Sequence, residues 1–229
     1  MDKTKENKDT KKDLKLFMNL RRMRHIKRCN NFPTLMPEDV AQHSYYTTLL
    51  ARFLSEEYNK YAAEYNSAFH PFDVENQMPV LDIAEVTEKA LLHDCEEAFT
   101  SDIPWNVKHA SKEFNEAMKQ VVADKMNTIF EGSTTLVSVK DINSIAKKGF
   151  PGQVVDFADM LELAIFCCEE YTLGNNYLKS LLYKCLDVLV HHPIYAVMLE
   201  ASPLFKQVWK MLQDSLVSPK SASKLMEIY

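Results

Sequence analysis

Two imidazoles and two carboxylates, spread over three stretches of this chain, are of the types that could hold a metal ion. His93 and Asp94 are adjacent. Successive helical residues diverge by roughly 100°, so this pair can meet at one ion only at a helix edge facing a cavity. Two ligands leave a divalent ion mostly in water, so more donors must come from elsewhere. His43, in Ala41-Gln42-His43-Ser44, precedes an apolar run on a different expected helix. Asp159 lies in Val155-Asp156-Phe157-Ala158-Asp159-Met160-Leu161, where apolar neighbours imply partial burial. A set of two His and two Asp suits one borderline transition ion such as Mn, Co, Fe or Zn. Glu97, four residues after His93, is expected one turn along the same helix face, near a metal-bound water.

Each residue also has an ordinary structural role open to it. A His-Asp pair can decorate a surface, His43 can be a core histidine, and Asp159 can pair with a lysine. Asp156, one turn before Asp159, is a rival ligand. His191-His192-Pro193 has metal-ligand residue types but falls at an interhelical break, and is expected to be a surface turn. Cys167-Cys168, within an apolar helix, is expected in the core. Lys108 could steer an anion or simply be solvated. The basic cluster of Arg21, Arg22, Arg24, His25, Lys27 and Arg28 is short and balanced by acidic sequence elsewhere. It is expected to form a positive mouth to the site rather than to bind nucleic acid.

The elements that must position these groups are helical. Residues 1–10 are expected to be a flexible polar tail, with one domain from 11 to 229. Apolar Leu14, Phe17, Met18 and Leu20 at helical spacing predict an amphipathic helix from Lys11 to about Arg28. Cys29–Pro37 reads as a loop. Pro37, Glu38 and Asp39 suit the first turn of a long helix reaching about Tyr65. After a loop over 70–79, a helix is expected from Ile83 to about Phe99, carrying His93, Asp94 and Glu97. Residues 100–110 form a turn with a short helix after Pro104. Further helices are expected over 111–130, 138–148, 153–173 (ended by Gly174), 177–191, 194–214 and 220–228. No strand set or internal repeat is evident, and the fold class is all-α.

Composition narrows the class of function. Of 229 residues, 46% are hydrophobic and 26% charged, which excludes a largely disordered chain. A formal charge of -5 supplies no global basic field for nucleic acid. Five cysteines without a CxxC pair argue against a disulfide framework and for a reducing cytoplasm. The polar first thirteen residues are unlike a signal peptide, and no apolar run is long enough to span a bilayer.

The segments "EDVAQHSYYTTLLA", "ALLHDCEEAFTSDIPWNVKH" and "VVDFADMLELAIFCCEEYTLGNN" give the order H…HD…D. This order resembles the HD-domain phosphohydrolase superfamily, and more narrowly the bacterial HD-domain 5′-deoxynucleotidases, over residues 21–176. The resemblance implies a single helical HD domain with His43, His93, Asp94 and Asp159 on one divalent metal; Ala158-Asp159 matches the family phrase better than Asp156 does. It implies Glu97 as the acid or base handling the attacking water. Arg28 would take the substrate phosphate and Asp102 the sugar 3′-hydroxyl. The implied reaction removes the 5′-phosphate from deoxynucleoside 5′-monophosphates, and the implied assembly is a homodimer. A hydrolase of nucleoside di- or triphosphates and a silent nucleotide-sensing module are the alternatives. Intact Asp94 and Glu97 favour an enzyme, and the absence of a second cation cluster favours monophosphates. The family has a Trp after the phosphate arginine; this chain has Cys29, with Phe32 near enough to substitute. Extra sequence around Asn59–Met78 is expected to cover the site or serve an interface.

Overall fold

The computed structural model describes residues 3–69, 74–104, 107, 111–130 and 149–218. Their regular secondary structure is all helical apart from one isolated antiparallel bridge, Lys27 to Asp39. The helices are α1 (Lys3–Leu20), α2 (Val40–Asn66), α3 (Ile83–Leu92), α4 (Glu97–Thr100) and α5 (Lys112–Phe130), then α6 (Gly149–Thr172), α7 (Lys179–Val190), α8 (Tyr195–Ala201) and α9 (Pro203–Val217). None of these helices is long and apolar enough to cross a membrane. The helices expected at 138–148 and 220–228, and Lys108, lie outside the described residues.

α6 is the central rod. Val154, Phe157, Ala158, Leu161, Ala164, Cys167 and Cys168 are all buried, so the helix is apolar around most of its circumference, as a core helix must be. It packs with α2, α3, α7, α8 and α9 around one large cluster that includes Leu54, Tyr58, Leu182, Met198, Phe205 and Leu212. A smaller cluster of Leu16, Met23, Val40, Leu92, Cys95, Ala98 and Val122 joins α1 and α5 to the start of α2 and the end of α3. Cys167 and Cys168 are core residues, as their apolar context predicts.

Several boundaries differ from the expected ones. α1 begins at Lys3, inside the stretch expected to be a tail; its Lys and Glu residues are good helix formers and can extend a helix without an apolar face. It stops at Leu20, and Arg21–His25 form a 3-10 turn instead of continuing to Arg28. α2 begins later than Pro37: Asp39 is its N-cap, accepting from Gln42 N–H in a reciprocal capping box. The stretch 194–214 is two helices, split where Ser202 caps α9 through Phe205 N–H and Pro203 occupies its first turn. Gly174, at φ +102, ends α6 in the left-handed conformation expected of it.

The described residues of the extra sequence after Asn59 include the far end of α2 and a stretch from 74 onward that runs back beside it. Asn59 gives and takes a hydrogen bond with the backbone of Leu81, each at 2.9 Å. Asn66 does the same with Met78, at 2.9 and 2.7 Å. Asn59 is sixteen residues, roughly 24 Å, along α2 from His43, so these anchors are remote from the cluster around that histidine.

Candidate metal centre and its wall

The HD pair does not lie on a continuous helix. α3 ends at Leu92, and the chain turns through His93–Glu96 before α4 begins at Glu97. Cys95 N–H bonds to Leu92 O at 3.1 Å, Glu97 N–H to Asp94 O at 3.0 Å and Ala98 N–H to Cys95 O at 3.3 Å. These i→i+3 bonds tighten the turn. Leu92, Cys95 and Ala98 plug into the smaller core cluster, which leaves His93 and Asp94 on the opposite side. The pair thus sits on the side of the turn that faces away from that cluster. The expectation of one helix over 83–99 is corrected accordingly, and with it the view that Glu97 shares a helix face with His93. Glu97 is buried beside the turn, its N–H on the carbonyl of Asp94.

Four donor atoms from three elements converge. His43 Nε2, on the first turn of α2, is 3.1 Å from His93 Nε2, 3.0 Å from Asp159 Oδ1 and 3.5 Å from Asp94 Oδ2. His93 Nε2 is 3.3 Å from Asp94 Oδ2 and 3.8 Å from Asp159 Oδ1. Donors about 2.0–2.2 Å from one ion stand roughly 3.0–3.5 Å apart, close to the spacings among His43, His93 and Asp159, with Asp94 against the two imidazoles. His43, His93 and Asp159 satisfy the geometry of a possible ion site. Asp156, the rival, is exposed and pairs with His192 instead, its Oδ2 3.4 Å from His192 Nε2. His191 is exposed at the end of α7, as expected for a surface turn, but His192 departs from that expectation, largely buried with its ring 5.2 Å from that of Phe157.

The tautomers strengthen the fit. His93 Nδ1 lies 2.7 Å from the carbonyl of Ala90 and can only donate to it. His43 Nδ1 lies against Glu162 Oε2 and also against Arg28. Arg28 Nη1 bonds Glu162 Oε2 at 3.1 Å, and an imidazole protonated at Nδ1 donates to the same carboxylate. Both Nε2 atoms then present lone pairs to each other at 3.1 Å. Two lone pairs at that distance repel unless a cation or a proton lies between them. Burial alone would lower the pKa of His93, but Asp94 and Asp159 outweigh it and hold it well above its usual value. The same pairing overcomes burial at both carboxyls and keeps Asp94 and Asp159 below the ordinary aspartate range. Without metal, protons take the place of the ion.

Glu162 and Glu38 are absent from the expected site. Glu162 lies three residues after Asp159, a spacing that places both on one face of α6, and that is the signal by which it could have been found. Glu38, 3.7 Å from Arg28 Nη1, has its pKa pushed up to about 8 by burial first and the charge of Glu162 second. Burial works against the charge of Arg28, but Glu162, Asp159 and Asp94 outweigh it and raise its pKa further. Within the basic cluster only Arg28 enters this network; Arg21, Arg22, Arg24, His25 and Lys27 are exposed.

Arg28 also starts the wall of the site. Its N–H bonds Glu38 O at 2.9 Å, and Val40 N–H bonds Ile26 O at 3.0 Å, closing the loop between them. Cys29 follows with φ +50, a left-handed conformation uncommon outside glycine, and donates its N–H to Asp102 Oδ2 at 3.0 Å. Asn30 Nδ2 bonds the carbonyl of Asp102 at 3.2 Å. Asp102 is thus tied to the loop that carries Arg28, not to the four-donor cluster. Burial pushes the Cys29 thiol up to about 11, with Arg28 pulling the other way. Phe32, the expected substitute for the family Trp, packs against the large core.

A helical bundle in which an H…HD…D set converges from three elements defines the HD-domain phosphohydrolase class. The family model described as 5′-deoxynucleotidase YfbR-like matches residues 15–201, and the chain belongs to that family. A search of curated proteins finds no match. Among solved structures, the chain resembles the cyanophage S-2L HD phosphohydrolase DatZ, described as bound to dA and one catalytic Zn2+ ion. That likeness has 18% identity and a TM-score of 0.58, covering 86% of this chain and 96% of the other. It also resembles an HD-domain phosphohydrolase from Listeria innocua, at 21% identity and a TM-score of 0.60, covering 87% and 97%.

Proposed function

We propose that this protein is a metal-dependent 5′-deoxynucleotidase that hydrolyses deoxynucleoside 5′-monophosphates to deoxynucleoside and phosphate. The observation that carries the metal is the pair of imidazole Nε2 atoms 3.1 Å apart, flanked by two carboxylate oxygens. A divalent ion held by His43, His93, Asp94 and Asp159 would supply Lewis acidity toward a phosphoryl oxygen and acidify water at neutral pH. The two carboxylates balance its charge, leaving a neutral centre for a dianionic substrate. Glu162 orients His43 through Nδ1, the outer contact that fixes tautomer and ring direction in metal sites. Arg28 binds the phosphate: Glu162 and Glu38 engage one edge of its guanidinium, and the planar fork has further N–H groups to offer. Glu97, buried next to Asp94, takes the proton of the attacking water and returns one to the leaving 5′-oxygen. Asp102 reads the sugar 3′-hydroxyl from its place beside the loop. The family match and the dA described in DatZ support a deoxynucleotide substrate.

The test is phosphate release by metal-stripped protein, with Mn, Co or Zn restored, on deoxy- and ribonucleoside 5′-mono- and triphosphates. Release confined to deoxynucleoside monophosphates is expected. Release from triphosphates alone would overturn the substrate, and silence across the panel with metal bound would overturn the hydrolase. A cytoplasmic homodimer completes the proposal. The apolar groove between α7 and α9, lined by Tyr183, Leu186, Val190, Trp209 and Leu216, is its candidate contact. A monomer mass in sedimentation would remove the dimer.

A further inference from the structure

Glu170 is a carboxylate on the core helix α6 with no exposed surface, eleven residues and roughly 16 Å beyond Asp159. Burying a charge in a core costs stability unless strong hydrogen bonds compensate. Its two oxygens accept from Leu35 N–H at 2.8 Å, Met36 N–H at 2.5 Å and Asn175 Nδ2 at 2.6 Å. The Asn175 amide also donates to the carbonyl of Pro33 at 2.8 Å. Every contact to the loop is with backbone. The side chains of Leu35 and Met36 meanwhile point outward, 60% and 58% exposed. Core packing, which holds Cys29 and Phe32, therefore does not explain the placement of Leu35 and Met36, because their apolar groups face solvent and the charge is inside. Between these anchors, the hydroxyl of Thr34 is buried with no hydrogen-bond partner. A loop free to optimise its own contacts would turn that hydroxyl to water. At Leu35 and Met36 the loop is held by a carboxylate of α6.

The clamped segment is the wall that begins at Arg28. Asp102 pins its first residues through Cys29 N–H and Asn30, and Glu170 with Asn175 pins its last. We infer that Glu170, with Asn175, is a positioning residue for substrate binding, which holds the wall 29–36 and through it Arg28 in register with the four donors on α2, α6 and the HD turn. This rests on the phosphohydrolase proposal. α6 carries Asp159, Glu162 and Glu170 within about 80° of one face, so one rigid element positions a cluster donor, the arginine's carboxylate and the wall clamp.

The test uses full-length, metal-loaded protein with E170A, E170Q and N175A. Expected for E170A is a KM for the monophosphate raised at least ten-fold, kcat within three-fold of wild type and unchanged metal stoichiometry. E170Q, which keeps one acceptor oxygen, should recover part of the loss; N175A supplies the same comparison if E170A does not fold. A fall in kcat at constant KM, or no change in either, overturns the inference. Amide hydrogen exchange separates this result from failure of the functional proposal, since it needs no substrate. Leu35, Met36 and Arg28 amides should lose protection together in E170Q. Opening of Leu35 and Met36 with Arg28 still protected would show that the clamp does not reach the arginine, and would sink the idea even in an active enzyme.

Discussion

The sharpest consequence of the site geometry is the contrast between two aspartates one turn apart. Asp159 Oδ1 lies 3.0 Å from His43 Nε2, whereas Asp156 Oδ2 lies 3.4 Å from His192 Nε2. Asp159→Asn removes one of the two negative charges that balance a divalent ion. Loss of an outer contact to a metal ligand typically weakens binding about 10–100-fold, so losing a ligand should cost at least the upper figure, about 2.7 kcal/mol. At a metal concentration about 100 times the wild-type Kd, binding stabilises wild type by about 2.7 kcal/mol; the same concentration stabilises D159N by about 0.4 kcal/mol. A chain of this size gains about 2–4 °C in Tm per kcal/mol. Metal should therefore raise Tm by about 5–11 °C in wild type and D156N, and by about 1–2 °C in D159N. Thermal unfolding of stripped protein with and without Mn, Co or Zn measures this directly. Equal shifts in all three proteins would refute the ligand set, and a shift lost only in D156N would reverse the assignment.

Three further outcomes are expected. Glu97→Gln should retain the metal while kcat falls about 100- to 10,000-fold, checked by metal analysis and steady-state kinetics. Glu38 holds a proton to about pH 8 when folded, against an ordinary value of 4.5, so the native state binds more protons than the unfolded one between those values. Its contribution to stability therefore falls as pH rises from 4.5 to 8, and E38Q should flatten that slope in denaturant titrations across the window. Asn59→Ala strands both backbone groups of Leu81, which should cost about 2 kcal/mol or more by urea unfolding while leaving kcat unchanged.

The four metal-site candidates, which the structure brings together, were readable from their order and spacing and the family resemblance these carry, since each is ordinary by itself. The turn through His93–Glu96 was not, because Val86, Ala90 and Ala98 keep helical spacing across it and an i→i+3 turn departs little from helical dihedrals. Ser202-Pro203 carried a helix-start signal, N-cap followed by N1 proline, that apolar periodicity on either side masked. Gly174 was readable as a terminator, since only local backbone decides it. The clamp beside it was not: Glu170 meets Leu35 across 135 positions, and nothing within either segment marks the other. Glu162 was hidden in the opposite way, by its setting in a helix that is otherwise core.

The two asparagines on α2 work as a vernier. Asn59 and Asn66 are seven helical residues apart, a rise of about 10.5 Å; their partners Leu81 and Met78 are three extended residues apart, about 10.2 Å. The two scales coincide at that interval, and seven residues also bring a helix back to nearly the same face. Lengthening this hairpin while keeping its asparagine rungs thus favours steps of seven helical residues against three extended ones. Relatives with longer or shorter excursions should differ in that increment, with the histidine end of the helix undisturbed.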